Sequence, residues 1–217
     1  MPLVVLDLVL GYLLGSIPFG LIIGRLFKGV DVRKYGSGKT GATNVMRTAG
    51  VLPGILVLVG DLGKGWISVF LAKVISQGDE RVVAGAALLC MIGHNWPVFA
   101  RFRGGRGVTT YFGGLLALSW IGAAIGGLAT VATIALTRYV SLGSLVGSLG
   151  SAGVMAYLVR HGNLPLAYFV YASIGVIMLV VLHRDNIKRL AAGRERKLGQ
   201  RVELQQSSQK NSEGSHA

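Results

Sequence analysis

Acidic residues are scarce in this chain of 217 residues: nine Asp and Glu stand against 22 Lys and Arg, and charges of both signs make up only 14%. A soluble domain carries about 25% charged residues, so the shortfall points to a bilayer rather than water as the main solvent. Cysteine is nearly absent: Cys90 alone excludes an internal disulfide and, inside an apolar run, reads as a small buried hydrophobe. There is no Gly-x-Ser-x-Gly elbow and no His-Glu-x-x-His motif, and the four histidines (94, 161, 183 and 216) are scattered. These absences exclude the usual signatures of a serine hydrolase and of a helix-borne zinc site, and no metal centre is expected. No side chain has the setting of an activated covalent nucleophile.

What is present is apolar: hydrophobic residues make up 52% of the chain. Residues 3–26, 51–75, 82–99, 142–159 and 164–182 are long apolar runs, and a sixth tract, 108–136, is dotted with glycine. The first run lacks a basic leader and a small-residue cleavage site and continues into Arg25 and Lys28, so it reads as a retained span. The 33 glycines suit helices that approach closely in lipid. Taken as one crossing, tract 108–136 gives six spans. Broken near Ser119 to Gly122, it gives seven, although it is short for two crossings of ~20 residues each. Charge favours seven. With the N-terminus external and the C-terminus cytoplasmic, every Lys and Arg except Lys73, Arg81 and Arg160 falls on the cytoplasmic side. The expectation is an all-α, multi-pass integral membrane protein with seven transmembrane helices in one domain, 1–202. A polar tail, 203–217, reads as disordered, and residues 186–198 read as a short basic helix on the membrane surface. The net charge of +13 lies at span ends and in the tail, which suits orientation and anionic ligands, not nucleic acid.

Four polar motifs fall on one membrane face in this topology. The first runs from Tyr35 through Gly36, Ser37, Gly38, Lys39, Thr40, Gly41 and Asn44 to Arg47. Its backbone N–H groups can turn toward an anion and Arg47 can clamp phosphate oxygens. Gly38-Lys39-Thr40 is not the end of a nucleotide-binding P-loop, because Arg33 stands where that loop needs glycine. The second runs from Gly93-His94-Asn95 through Arg101 and Arg103 to Gly104-Gly105-Arg106-Gly107. A helix starting near Val108 would point its N-terminal dipole at this loop, making a second anion cradle. Membrane anchoring suffices for Arg101 and Arg103 but does not explain the glycines. The third, Arg138-Tyr139-Val140-Ser141, is read as a helix start capped by Ser141. In the fourth, His183 and Asn186 share one helical face and can touch one ligand. Asp61 and Lys64, three apart inside a span, are expected to form an internal ion pair.

In order and spacing these motifs resemble the bacterial acyl-phosphate:glycerol-3-phosphate acyltransferases, the PlsY family. The likeness extends from Gly11 to Gly193-Arg194-Glu195 and is most specific at Gly36-Ser37-Gly38, Gly41-Ala42-Thr43-Asn44, Asp61 with Lys64-Gly65, Gly93-His94 and the run from Gly104 to Thr110. The His-x4-Asp signature of other glycerolipid acyltransferases is missing. The resemblance implies a seven-span enzyme of the bacterial inner membrane with its active site facing the cytoplasm. It would move a fatty acyl group from acyl phosphate to the sn-1 hydroxyl of glycerol 3-phosphate, giving lysophosphatidic acid and phosphate in the first step of phospholipid synthesis. It implies no metal and no organic cofactor, with membrane lipid and the acyl-phosphate-forming enzyme as partners. Family contacts carried onto this chain fall on Ser37, Gly38, Asn44, Arg47, Ser141, His183 and Asn186, and the phosphate loop on Gly104, Gly105, Arg106 and Gly107, with His183, Asn186 and Ser37 closest to the chemistry. Lys39 and Arg106 depart from the family's usual asparagine and lysine.

Acyl phosphate is an activated anhydride, so direct attack by a hydroxyl needs two anions held close rather than an enzyme nucleophile. His183 as a base and a substrate phosphate oxygen as the proton acceptor both remain open at this stage. Two other classes are a transporter of a phosphorylated metabolite and a structural membrane anchor. A transporter places polar groups deep in both halves, whereas here they lie on one side, and an anchor leaves the glycine motifs unexplained.

Overall fold

A chain in lipid has to satisfy its own backbone N–H and C=O groups, and a helix does so within each segment. The computed structural model of the protein describes residues 2–200, and among the described residues every regular element is helical. The α-helices are α1 (Pro2–Gly15), α2 (Phe19–Lys28), α3 (Ala42–Ala49), α4 (Val51–Ile75), α5 (Glu80–Asn95), α6 (Val108–Leu118), α7 (Trp120–Thr137), α8 (Val140–Arg160), α9 (Leu166–Leu182) and α10 (Arg184–Ala191).

The first apolar run is not one continuous helix. It breaks between α1 and α2 at Pro18, which has no N–H to give and whose ring crowds the preceding turn. The Ile17 carbonyl freed by the break accepts a hydrogen bond from Lys64 Nζ at 3.0 Å. Tract 108–136 also divides, at Ser119, whose hydroxyl accepts from Gly122 N at 3.2 Å and so caps α7. Five segments are long and apolar enough to cross a membrane, and α9 taken together with α10 makes a sixth, bent by 60°. Helix α6, with 11 residues, spans about 16 Å, roughly half of a ~30 Å hydrocarbon layer, and so falls short of a full crossing on its own.

Many helix contacts are made by small residues, and many large apolar side chains turn outward. On α7, Leu128, Val131 and Leu136 are strongly exposed, the arrangement expected where lipid is the neighbour. Inside, helix backbones touch: a methyl group at Gly15 would overlap the Cys90 carbonyl, and one at Gly113 the Leu62 carbonyl. Such close approach is how helices associate when lipid is as apolar as leucine. One core cluster, with Met91, Tyr111, Leu115, Met155, Tyr171 and Leu179 at its centre, joins α5, α6, α8 and α9. A second, around Val32, Val45 and Val57, seats α3 on α4. Cys90 is buried, as a small hydrophobe would be.

The expected surface helix over 186–198 is corrected. Helix α10 stops at Ala191, and Gly193, with φ +65°, takes the left-handed turn that reverses the chain. The segment then folds back onto the start of α8, where Leu198 N donates to the Arg138 carbonyl at 2.7 Å and Arg138 Nη2 donates to the Leu198 carbonyl at 3.0 Å. The tail 203–217 lies outside the described residues.

Candidate active site

The first polar motif forms a loop between α2 and α3, turning at Gly36 and Gly38, both with positive φ. Asn44 holds its shape: Nδ2 donates to the carbonyls of Val32 (2.9 Å), Lys39 (2.9 Å) and Tyr35 (3.2 Å), and Oδ1 accepts from Ser37 N (2.9 Å). That amide is committed to backbone, so Asn44 shapes the loop that presents Ser37. Arg47, on α3, keeps Nε buried without a partner, and Nη2 makes only a long 3.5 Å contact to the Arg196 carbonyl.

The second motif leaves α5 through a turn in which Arg101 and Phe102 both take positive φ. Gly105 N donates to the His94 carbonyl and Gly104 N to the Asn95 carbonyl, each at 3.2 Å. Gly107 (φ +82°) is the residue before α6, so the free N–H groups of that helix open at the loop. Arg106 Nε donates to the Leu182 carbonyl at 3.2 Å.

The third and fourth motifs meet through a residue the sequence reading did not select. Ser141 was expected to cap α8. It lies inside the first turn instead, and its hydroxyl donates to Glu195 Oε1 at 2.9 Å. Asn186 Nδ2 donates to the same oxygen at 2.6 Å, and Arg189 Nε donates to Glu195 Oε2 at 2.7 Å. Burial pushes the Glu195 carboxyl up, but the bonds from Asn186, Arg189 and Ser141 outweigh it and hold the group below the usual carboxylate range. The signal in the sequence was an isolated acid in a basic segment.

His183 sits at the bend between α9 and α10, with Nδ1 2.8 Å from the Leu179 carbonyl. A carbonyl only accepts, so Nδ1 carries the proton and Nε2 keeps the ring's lone pair. Burial, with the Arg106 charge acting in the same direction, pulls this imidazole down to about 4, so it is neutral near pH 7. Burial also lowers Arg47 and Arg106, and neighbouring cations add to the effect. Both remain charged, short of counter-charge in a site that an anion would complete.

These groups surround two adjoining cavities. One, of about 220 Å³, is lined at its polar end by Ser37, Asn44, Arg47, Arg106, Gly107, Ser141, His183 and Asn186, and continues along Leu58, Val108, Ile134 and Val140. The other, of about 260 Å³, is lined mainly by charged side chains, Lys39, Arg184, Asp185, Arg189 and Arg196, with Val181 and Leu182 beside them. Ser37, Lys39, Arg47, Arg106, Asn186 and Glu195 border both. Gly38, Gly104 and Gly105 line neither and face a third concavity on the far side of the loops. Among the described residues no three His, Cys, Asp or Glu side chains gather as a metal site requires.

Residues 5–193 match the family model for glycerol-3-phosphate acyltransferase. A glycerol-3-phosphate acyltransferase 3 of Dehalococcoides mccartyi is 42% identical over 90% of this chain and 96% of its own length. The glycerol-3-phosphate acyltransferase of Halalkalibacterium halodurans is 43% identical over the same shares, 90% and 96%. Among solved structures, the integral membrane glycerol 3-phosphate acyltransferase PlsY in its glycerol 3-phosphate form superposes with a TM-score of 0.83 at 38% identity, covering 90% of this chain and 96% of that one. Its lysophosphatidic acid form gives 0.81 at 37% identity, covering 91% and 96%. The chain is therefore an integral membrane protein of the glycerol-3-phosphate acyltransferase family, the PlsY type.

Proposed function

We propose that this protein transfers a fatty acyl group from acyl phosphate to the sn-1 hydroxyl of glycerol 3-phosphate. The products are lysophosphatidic acid and inorganic phosphate, the first step of phospholipid synthesis. The observation that carries the reading is the shared cationic wall between two cavities, the first lined beyond it by the apolar Leu58, Val108, Ile134 and Val140 and the second mainly by charged side chains. An acyl phosphate has one anionic end and one long apolar chain, and suits the first cavity. Glycerol 3-phosphate is anionic and wholly polar, and suits the second. The relatives named for glycerol-3-phosphate acylation support the acceptor, and the apolar continuation of the first cavity supports a donor whose chain stays in the bilayer.

Two phosphates held side by side repel, and Arg47, Arg106, Lys39 and the α6 N-terminus offset that repulsion while fixing the reactants in line. The acceptor hydroxyl oxygen bonds to the acyl carbon, the bond from that carbon to the phosphate oxygen breaks, and the hydroxyl proton passes to the departing phosphate. His183, neutral with Nε2 free, accepts the hydrogen bond of the attacking hydroxyl and orients it. An imidazole with a pKa of about 4 is too weak a base for the proton to rest there. Ser37 and the second amide hydrogen of Asn186 complete the phosphate contacts, Ser141 gives its one proton to Glu195 and so steadies that carboxylate beside the site, and Gly38, Asn44, Gly104, Gly105 and Gly107 shape the two loops. The protein works as a seven-span protein of the bacterial inner membrane with the site facing the cytoplasm, α6 serving as a short seventh segment packed against α4. The enzyme that makes acyl phosphate is its supplier and partner.

The donor and the position are tested together. With glycerol 3-phosphate as acceptor, the purified protein is offered acyl phosphate or acyl-CoA, and the product is analysed by position. Acylation at sn-1 from acyl phosphate alone is expected. Equal use of acyl-CoA, or a product acylated at sn-2, contradicts the proposal.

A further inference from the structure

Behind the Gly104–Gly107 loop lies a buried polar cluster that the reaction above leaves unused. Lys64 Nζ is 2.9 Å and His94 Nδ1 3.3 Å from the same oxygen, Asp61 Oδ1, as close polar contacts without hydrogen-bond alignment, and all three side chains are almost fully enclosed. Ionisable groups inside a bundle are costly to desolvate, so each needs a reason to be there. Lys64 has one: it satisfies the Ile17 carbonyl at the α1–α2 break, and Asp61 is its counter-charge. His94 is not explained by that task.

Its position explains it. His94 and Asn95 end α5, and the loop hangs from their carbonyls through Gly105 N and Gly104 N. The His94 ring also fills the space beside Gly105, where a methyl group would overlap Nε2, while a methyl group at Gly107 would crowd the Asn95 amide. Asp61 and His94 both reach the wall of the cavity that Arg106 and Gly107 border.

We propose that Asp61 and His94 are positioning residues of this loop. Asp61 holds the imidazole from its Nδ1 side by close polar contact, and the ring sets the height of Gly105, so that Arg106 and the open N–H groups of α6 face the anion. The inference rests on the reading of the loop as a phosphate cradle. Displacing such a cradle by about 1 Å costs on the order of 100-fold, so a supporting ring has a measurable effect without touching substrate.

The test uses the full chain, with inorganic phosphate, a product of the proposed reaction, as the probe. Its inhibition constant is measured alongside kcat and the thermal midpoint. His94→Ala is expected to raise that constant on the order of tenfold. His94→Gln, whose longer amide reaches the space beside Gly105, restores most of the affinity. Asp61→Asn raises the constant as well, and adding it to His94→Ala raises it no further, because the two act as one unit. A variant that merely loosened the fold would lower the active fraction, and hence kcat, and leave the inhibition constant where it was. An unchanged constant in His94→Ala, or additive effects of the two substitutions, overturns the proposal. A wild-type protein that turns over but is not inhibited by phosphate sinks the cradle reading itself, and the proposal with it.

Discussion

Replacing Glu195 by Gln probes the contact that joins the third and fourth motifs. The carboxylate accepts from Ser141 and Asn186 on Oε1 and from Arg189 on Oε2. Glutamine keeps one acceptor oxygen, so its NH2 group has to face either Arg189 or the Ser141–Asn186 pair, and at least one bond to a charged acceptor is lost. Such a bond contributes about 1.5–3 kcal/mol, or roughly 10- to 100-fold. Arg189, the charged donor, keeps the amide oxygen, so the NH2 group turns toward Ser141 and Asn186, which lose their acceptor; both are neutral donors, so the lower figure applies. The expected result is a rise of about tenfold in KM for glycerol 3-phosphate, measured by phosphate release from acyl phosphate, with the melting temperature recorded as a folding control. An unchanged KM in the folded variant would refute the view that Glu195 holds Ser141 and Asn186 in place. A lower KM would mean that the carboxylate competes with substrate phosphate for the same donors.

Arg47→Ala and Arg106→Ala are each expected to reduce kcat/KM by at least ~100-fold, since each leaves a substrate phosphate without its clamp; either variant, folded and near wild type, contradicts the assignment. His183 should stay neutral throughout the physiological range. NMR titration of labelled histidine, assigned with His183→Gln, should show no midpoint above pH 5, and a midpoint near the ordinary 6.5 would contradict the buried setting beside Arg106. Ile134→Trp narrows the apolar continuation of the first cavity. At about 0.8 kcal/mol per methylene expelled, long-chain acyl phosphates should lose about tenfold in KM and short ones little, and equal losses would place the chain elsewhere.

Much of the site was legible because its parts are local. Gly36, Gly38 and Gly107 mark turns that other residues adopt only under strain, and the structure puts positive φ at each. The helix start after the second glycine motif followed from glycines before an apolar run, and α6 does begin at Val108. The Asp61–Lys64 pair followed from their spacing of three inside a span. What the sequence hid is long-range or conformational. Glu195 reaches Ser141 across 54 residues, and only because Gly193 reverses the chain where a basic segment reads as continuous helix. Asn44 looked like a ligand from its motif, yet its amide is occupied by the loop it holds. The break at Pro18 lies within an unbroken apolar run, and hydropathy does not register the loss of one N–H. The division of tract 108–136 was legible, by contrast: it falls at Ser119, at the edge of the 119–122 stretch where a break was expected, and the Ser119 hydroxyl caps α7.

The most direct test of the central claim is a two-substrate assay. The purified protein is reconstituted in lipid and given acyl phosphate and glycerol 3-phosphate, without acyl-CoA or added metal, while phosphate and lysophosphatidic acid are followed together. Equal yields of the two products, each requiring both substrates, are the predicted result. Phosphate released without glycerol 3-phosphate, or no turnover by folded protein, would contradict the claim that the two cavities bring these anions together for acyl transfer.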